Sequence, residues 1–240
     1  EHPLSIDAEG QLLASVMAKK HSVSASHVLI DIPMGKRTKA RNMKEAKHLK
    51  KMFELIGKKL GMNVQVIVTD GSHPIGNGIG PLLEAEDVMA VLRNDPLAPQ
   101  DLKEKALMMA GKLLDMACGC RKGEGLKKAK EILESGEALK KMNDIINAQG
   151  RQKKPLLGEH HFPVRSEKTG KITEIDIEII AKAARTAGAP DDKGSGLYLS
   201  KKIHDKVKRG ELLYTVYAES KFKLESAKKY VSKNEGYVVE

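Results

Sequence analysis

A chain of 240 residues has room for one large domain or two modest ones. Forty per cent of it is apolar but only 3% aromatic, with no Trp, so Leu, Ile, Val, Met and Ala must build the core. The net charge of +10 favours anionic partners, yet the basic residues are not interleaved with aromatics as in modules that stack RNA or single strands, and no apolar run approaches the roughly 18 residues of a membrane helix.

The opening EHPLSIDAEG is acidic and polar, unlike a signal peptide, and the absent initiator Met reads as processing or excision. Residues 9–21 carry Leu12, Leu13, Val16 and Met17 at helical spacing. SHVLIDIPMG is a compact apolar run of the kind a buried parallel strand shows. KARNMKEAKHLKKMFELIGKKLG reads as a helix stopped at Gly61, and MNVQVIVTDG as the next strand. LLEAEDVMAVLR is a further helix, ended by the turn signal NDP. Strand and helix in alternation predict a helix-covered parallel or mixed sheet.

Three more helices are predicted, in DLKEKALMMAGKLLDMACG, GLKKAKEILESG and EALKKMNDIINAQG, followed by a linker at RQKKP. Beyond it come short strands and turns, with helices at IEIIAKAARTAG and SKFKLESAKKYV. The expected fold is α/β plus α+β: residues 1–154 as one domain and residues 155–240 as a smaller one. Cys118 and Cys120, one glycine apart, are poorly placed to bridge each other, and no second pair completes a zinc site. His160 and His161 lack a third ligand at metal spacing, and His73 lies in a glycine-rich loop near a strand end.

That loop, VTDGSHPIGNGIGPLLE, poses the sharpest question. It is neither a P-loop nor the dinucleotide fingerprint, because no G-x-x-x-x-G-K-[ST] is present and Gly76, Gly78 and Gly80 give G-x-G-x-G. On chemistry alone it is either a phosphate cradle or a structural turn. The order Thr69-Asp70, Pro74-Ile75-Gly76, Ile79-Gly80, Leu83-Glu84 resembles the T-D-x-x-x-P-[LI]-G-x-x-[IV]-G-x-x-[LI]-E stretch of the thymidine and pyrimidine nucleoside phosphorylases. QLLASVMAKK is similar to that family's [LI]-x-A-S-[IL]-x-[SA]-K-K helix, and GLYLSKKIHDKVKRGELLYTVYAES to its C-terminal segment. LSIDAEGQLLASVMAKK and HVLIDIPMGKRTKA most resemble the archaeal AMP phosphorylase branch.

The resemblance implies a structural role for the glycine loop, since the family's phosphate loops lie in K-H-G-x-R-x-x-S-S and G-[GT]-T-x-D-x-L-E regions that this sequence does not contain. The chain then reads as the C-terminal part of such an enzyme, with a barrel-sandwich, hammerhead-like element in its second domain. The implied reaction is phosphorolysis of a nucleoside monophosphate to free base and a ribose bisphosphate. Inorganic phosphate is the co-substrate, with no metal or organic cofactor, in a cytoplasmic homo-oligomer assembled through the missing N-terminal part. The alternatives are a thymidine or pyrimidine nucleoside phosphorylase and, from another class, a non-catalytic basic module for nucleic acid, for which the residues offer little support; no membrane partner is expected.

Four side chains are candidates. Asp7 precedes the first helix, where it would serve as an N-cap or, by resemblance, as proton donor to the leaving base. Ser15 and Lys19 share a helix face and are either a packing serine with a solvated lysine or the family's base contacts. Lys39 follows the first strand, beyond the carboxyl end where ligands bind parallel sheets, and is either a surface lysine or a contact to the base or an anionic group.

Overall fold

The computed structural model describes residues 9–119, 121 and 123–240. The chain forms two compact units. One comprises the residues up to Ser72 together with Met108–Ala129, the other His73–Leu107 with Lys130–Glu240.

In the first unit, α1 (Glu9–Ser22), β1 (His27–Met34), α2 (Met43–Lys59) and β2 (Asn63–Asp70) follow one another. The expected pairing of the two apolar runs is present. β1 and β2 lie parallel, in register from His27 opposite Asn63 to Met34 opposite Asp70. Their Val28, Ile30, Ile32 and Val66 pack with Leu13 and Met17 of α1 and with Ala46, Leu49 and Phe53 of α2. α2 begins later than its sequence pattern suggests. Asn42 caps it by accepting the Glu45 N–H at 3.0 Å, and the Glu45 carboxylate reaches back to the N–H of Arg41, one residue before the cap, at 2.8 Å, a variant of the capping box. The stretch 39–41 is therefore loop, and Met43 is half exposed instead of core-facing. At the other end Gly61, at φ +70°, stops the helix as expected.

The second unit holds α3 (Pro81–Leu92), α6 (Glu137–Ala148), α7 (Ile177–Ala187), α8 (Lys221–Val231) and two small antiparallel sheets. One sheet orders β3 (Gly78–Ile79), β6 (Gly196–Leu199), β8 (Leu212–Ala218) and β4 (His160–Arg165); the other orders β7 (Lys206–Val207), β5 (Gly170–Ile175) and β9 (Tyr237–Val239). α4 (Gln100–Ala117) and α5 (Glu124–Glu134) complete the elements. β3 was not readable from sequence: it is two residues of the glycine loop, pairing antiparallel with Leu197 and Tyr198. The core gathers Ile172, Ile180, Leu197, Leu213, Tyr214 and Val216, all essentially inaccessible. Tyr214 and Tyr237 stack at 5.6 Å and donate their hydroxyls to the carbonyls of Glu235 and Lys201. Burial pushes both phenols up, so they serve as fixed donors. No described helix is long and apolar enough to cross a membrane.

Candidate functional site

Beyond the carboxyl end of β1 the chain makes a tight loop, residues 35–41. The Gly35 N–H donates to the Ala40 carbonyl at 3.0 Å, and the Thr38 hydroxyl lies 3.0 Å from the Gly35 carbonyl and 2.8 Å from that of Ala40. The Gly71 N–H, from the loop after β2, donates to the Met34 carbonyl at 2.9 Å. The two loops touch through glycine: a Cβ on Gly35 would stand 2.7 Å from the Gly71 carbonyl oxygen. The 35–41 loop is thereby braced, and it projects Lys36, Arg37, Lys39 and Arg41 to the surface.

Two adjoining hollows meet at Lys39. One, of about 560 Å³, is bordered by Glu9, Leu12, Asn42, Lys44 and His48; the other, of about 390 Å³, by Leu12, Val16, Asp31, Thr38 and Phe53. Lys39, Leu12 and Leu49 border both. Of the sequence candidates, Lys39 thus lies at the cleft. Ser15 and Lys19 are exposed on α1, next to the turn positions of Leu12 and Val16 that line it. Asp7 lies outside the described residues.

Three polar features of this region escaped the sequence reading. The Thr69 hydroxyl donates to Asp31 Oδ1 at 2.7 Å, tying β2 to β1 near their carboxyl ends. A charged residue in the middle of an apolar strand was the available signal. Glu9 and His48 pair at 2.9 Å across 39 residues of sequence, which no local pattern reveals. The basic charge is also uneven. The unit holding this cleft has 17 Lys and Arg against 9 Asp and Glu, whereas the other has 25 against 23.

The glycine loop answers its own question. Its N–H groups do cradle negative charge, but the charge belongs to the protein. Asp87 Oδ2, on a residue 7% exposed, accepts the N–H groups of Asn77 at 2.6 Å and Gly78 at 2.7 Å. Asp101 Oδ2 accepts the Gly76 N–H at 3.2 Å and pairs with Lys202 at 3.0 Å; the Lys202 ammonium also donates to the Gly76 carbonyl. Successive N–H groups of this kind form an anion-binding nest, and here two carboxylates fill it. His73 takes no part in these contacts. Among the described residues no group of three or more His, Cys, Asp or Glu side chains is placed to hold a metal ion, and Cys118 is free and exposed.

Comparison with known proteins gives this arrangement a context. Residues 171–237 match the family described as the pyrimidine nucleoside phosphorylase C-terminal domain. Over its whole length the chain is similar to proteins named "Putative thymidine phosphorylase": 46% identity over 238 residues in Methylococcus capsulatus, covering 99% of this chain and 46% of the relative, and 47% over 241 residues in Bradyrhizobium diazoefficiens, covering 100% and 47%. A protein of the same name from Nitrobacter hamburgensis is 48% identical over 219 residues, covering 91% and 43%. The chain spans about half the length of the curated relatives it matches.

Proposed function

We propose that this chain is the C-terminal part of a nucleoside or nucleotide phosphorylase acting on a nucleoside monophosphate of the AMP type. The observation that carries the nucleotide reading is Lys39 at the border of the cleft, on a loop that also exposes Lys36, Arg37 and Arg41, within a unit where cations outnumber anions 17 to 9. A nucleotide brings a phosphate that such a field attracts, whereas a neutral nucleoside does not. Residues 1–154 then contribute to the catalytic α/β domain, and residues 155–240 form a C-terminal α+β domain with a hammerhead-like element.

In this reading a phosphate oxygen attacks the anomeric carbon as the bond to the base breaks. The electron pair passes to the base nitrogen, which takes a proton from Asp7, and the products are free base and a ribose bisphosphate. Ser15, Lys19 and Lys39 contact the base, and Lys39 also meets the anionic group of the nucleotide. Positioning and proton donation are the principal contributions of the protein. Phosphate is the co-substrate, and the reaction uses neither a metal nor an organic cofactor. The partners are small molecules, with no membrane or nucleic acid, and the parent is a cytoplasmic homo-oligomer.

The second reading, a thymidine or pyrimidine nucleoside phosphorylase, is favoured by the names of the relatives. One assay separates them: release of free base by the intact protein from AMP, CMP, UMP and thymidine, each with excess phosphate. Preference for AMP is expected; turnover of thymidine alone would replace the first reading by the second. In the intact protein Asp7→Asn should lower kcat with a smaller change in KM. The 240-residue chain alone should release no base, because positioning of the attacking phosphate is worth about 7–11 kcal/mol; turnover near the parent's rate would overturn the assignment as a partial catalytic unit.

A further inference from the structure

The side chains read above as base contacts stand on two elements, Ser15 and Lys19 on α1 and Lys39 on the loop that leads into α2. We propose that the Glu9–His48 pair is a positioning device that sets α1 against that loop; the proposal rests on the preceding reading of the base contacts.

α1 is seated by Leu13 and Met17, buried among the side chains of β1, β2 and α2. Apolar contact of this kind is non-directional and leaves a helix free to slide or roll by small amounts. A directional contact removes that freedom. His48 Nε2 lies 2.9 and 3.1 Å from the two carboxylate oxygens of Glu9. An ionised carboxylate can only accept, so Nε2 is the donor and carries hydrogen. Among the described residues this is the polar contact that joins α1 to α2. Glu9 occupies the first turn of α1, on the helix face that also presents Leu12 and Val16 to the cleft.

The anchor on the other side is itself fixed. His48 follows the Asn42–Glu45 capping box, in which Glu45 takes the Arg41 N–H and the Asn42 amide, each at 2.8 Å. Lys39 stands three residues before Asn42, in the loop closed by Gly35, Thr38 and Ala40. Glu9 and His48 therefore join α1 to α2, and the first turn of α2, held by Asn42 and Glu45, joins it to the loop of Lys39. Both partners are about half exposed, so the effect is that of a solvent-exposed polar pair: a few-fold change in how well α1 and the loop meet one ligand, with no part in the chemical step.

The test uses Glu9→Ala, His48→Ala and His48→Gln, the last retaining an N–H donor. In the intact protein each alanine variant should raise KM for AMP about two- to fivefold, with kcat, KM for phosphate and Tm unchanged, and His48→Gln should restore KM. In the 240-residue chain, hydrogen exchange across residues 9–22 should quicken in Glu9→Ala while that of α2 stays as it was. Unchanged exchange in α1 would overturn the positioning device itself. Faster exchange with KM for AMP unmoved would instead overturn the base contacts assigned to α1, and with them the role proposed for the pair. Parallel losses in kcat and in KM for phosphate would mark general damage and also refute it.

Discussion

The loops that follow β1 and β2 both carry glycine and both touch the same end of a parallel pair, yet they treat charge in opposite ways. Residues 35–41 hold four exposed cations and no acid, and border a cleft. Residues 71–80 hold four glycines and no Lys or Arg, and turn their N–H groups onto Asp87 and Asp101. Glycine content marks where a backbone can expose donors; it does not say what fills them. The second loop spends its donors on folding, and the first places its cations on the exposed surface.

The largest effect that could break this contrast lies at Asp87. Asp87→Ala strands two N–H groups in a buried site, and urea unfolding should show a loss of about 2–4 kcal/mol. A loss near zero would mean that the nest is not held by its carboxylate. Gly35→Ala should cost about 1–3 kcal/mol, because the new Cβ meets the Gly71 carbonyl at 2.7 Å with only backbone to yield; unchanged Tm would show that the two loops give way easily. At the first loop the expected effect is on substrate and not on stability. Lys39→Ala in the intact protein should lower kcat/KM for AMP about tenfold, roughly 1.4 kcal/mol, and affect adenosine less; equal losses would count against a nucleotide-specific role. The smallest effect is that of salt. Between 50 and 200 mM, kcat/KM for AMP should fall about two- to threefold through screening while that for thymidine holds steady, and an equal response by both would remove the case for attraction by the basic unit.

Much of the scaffold was legible because its periodicities are strong. β1 and β2 stand out as apolar runs, and α7 as the helix IEIIAKAARTAG, whose cap at Asp176 the structure adds. Other features depend on partners distant in sequence. β3 is a strand only because Leu197 and Tyr198 lie beside Gly78 and Ile79. The late start of α2 was in principle visible, since Asn42 and Glu45 have capping-box spacing, but the lysines around them masked it. Asp87 also left a trace: Leu83, Asp87 and Val91, four apart, are all buried on one face of α3, so an acid there had to find donors inside. Lys39 reached the cleft because position after a parallel strand is a topological signal. Glu9 with His48, and Thr69 with Asp31, are chosen by tertiary geometry alone.

The glycine contact between the two loops bears on how this protein can vary. A Cβ on Gly35 would strike the backbone at Gly71, and one on Gly71 would come within 2.8 Å of Pro33 Cβ and Thr38 Cγ2. Most tight contacts can be relieved by trimming the neighbour, but glycine cannot be trimmed further. Neither position then has a compensating substitution at the other, and a saturation library should leave both nearly empty of alternatives. Two residues with no side-chain chemistry would rank among the least replaceable in the unit, a warning against equating intolerance with catalysis.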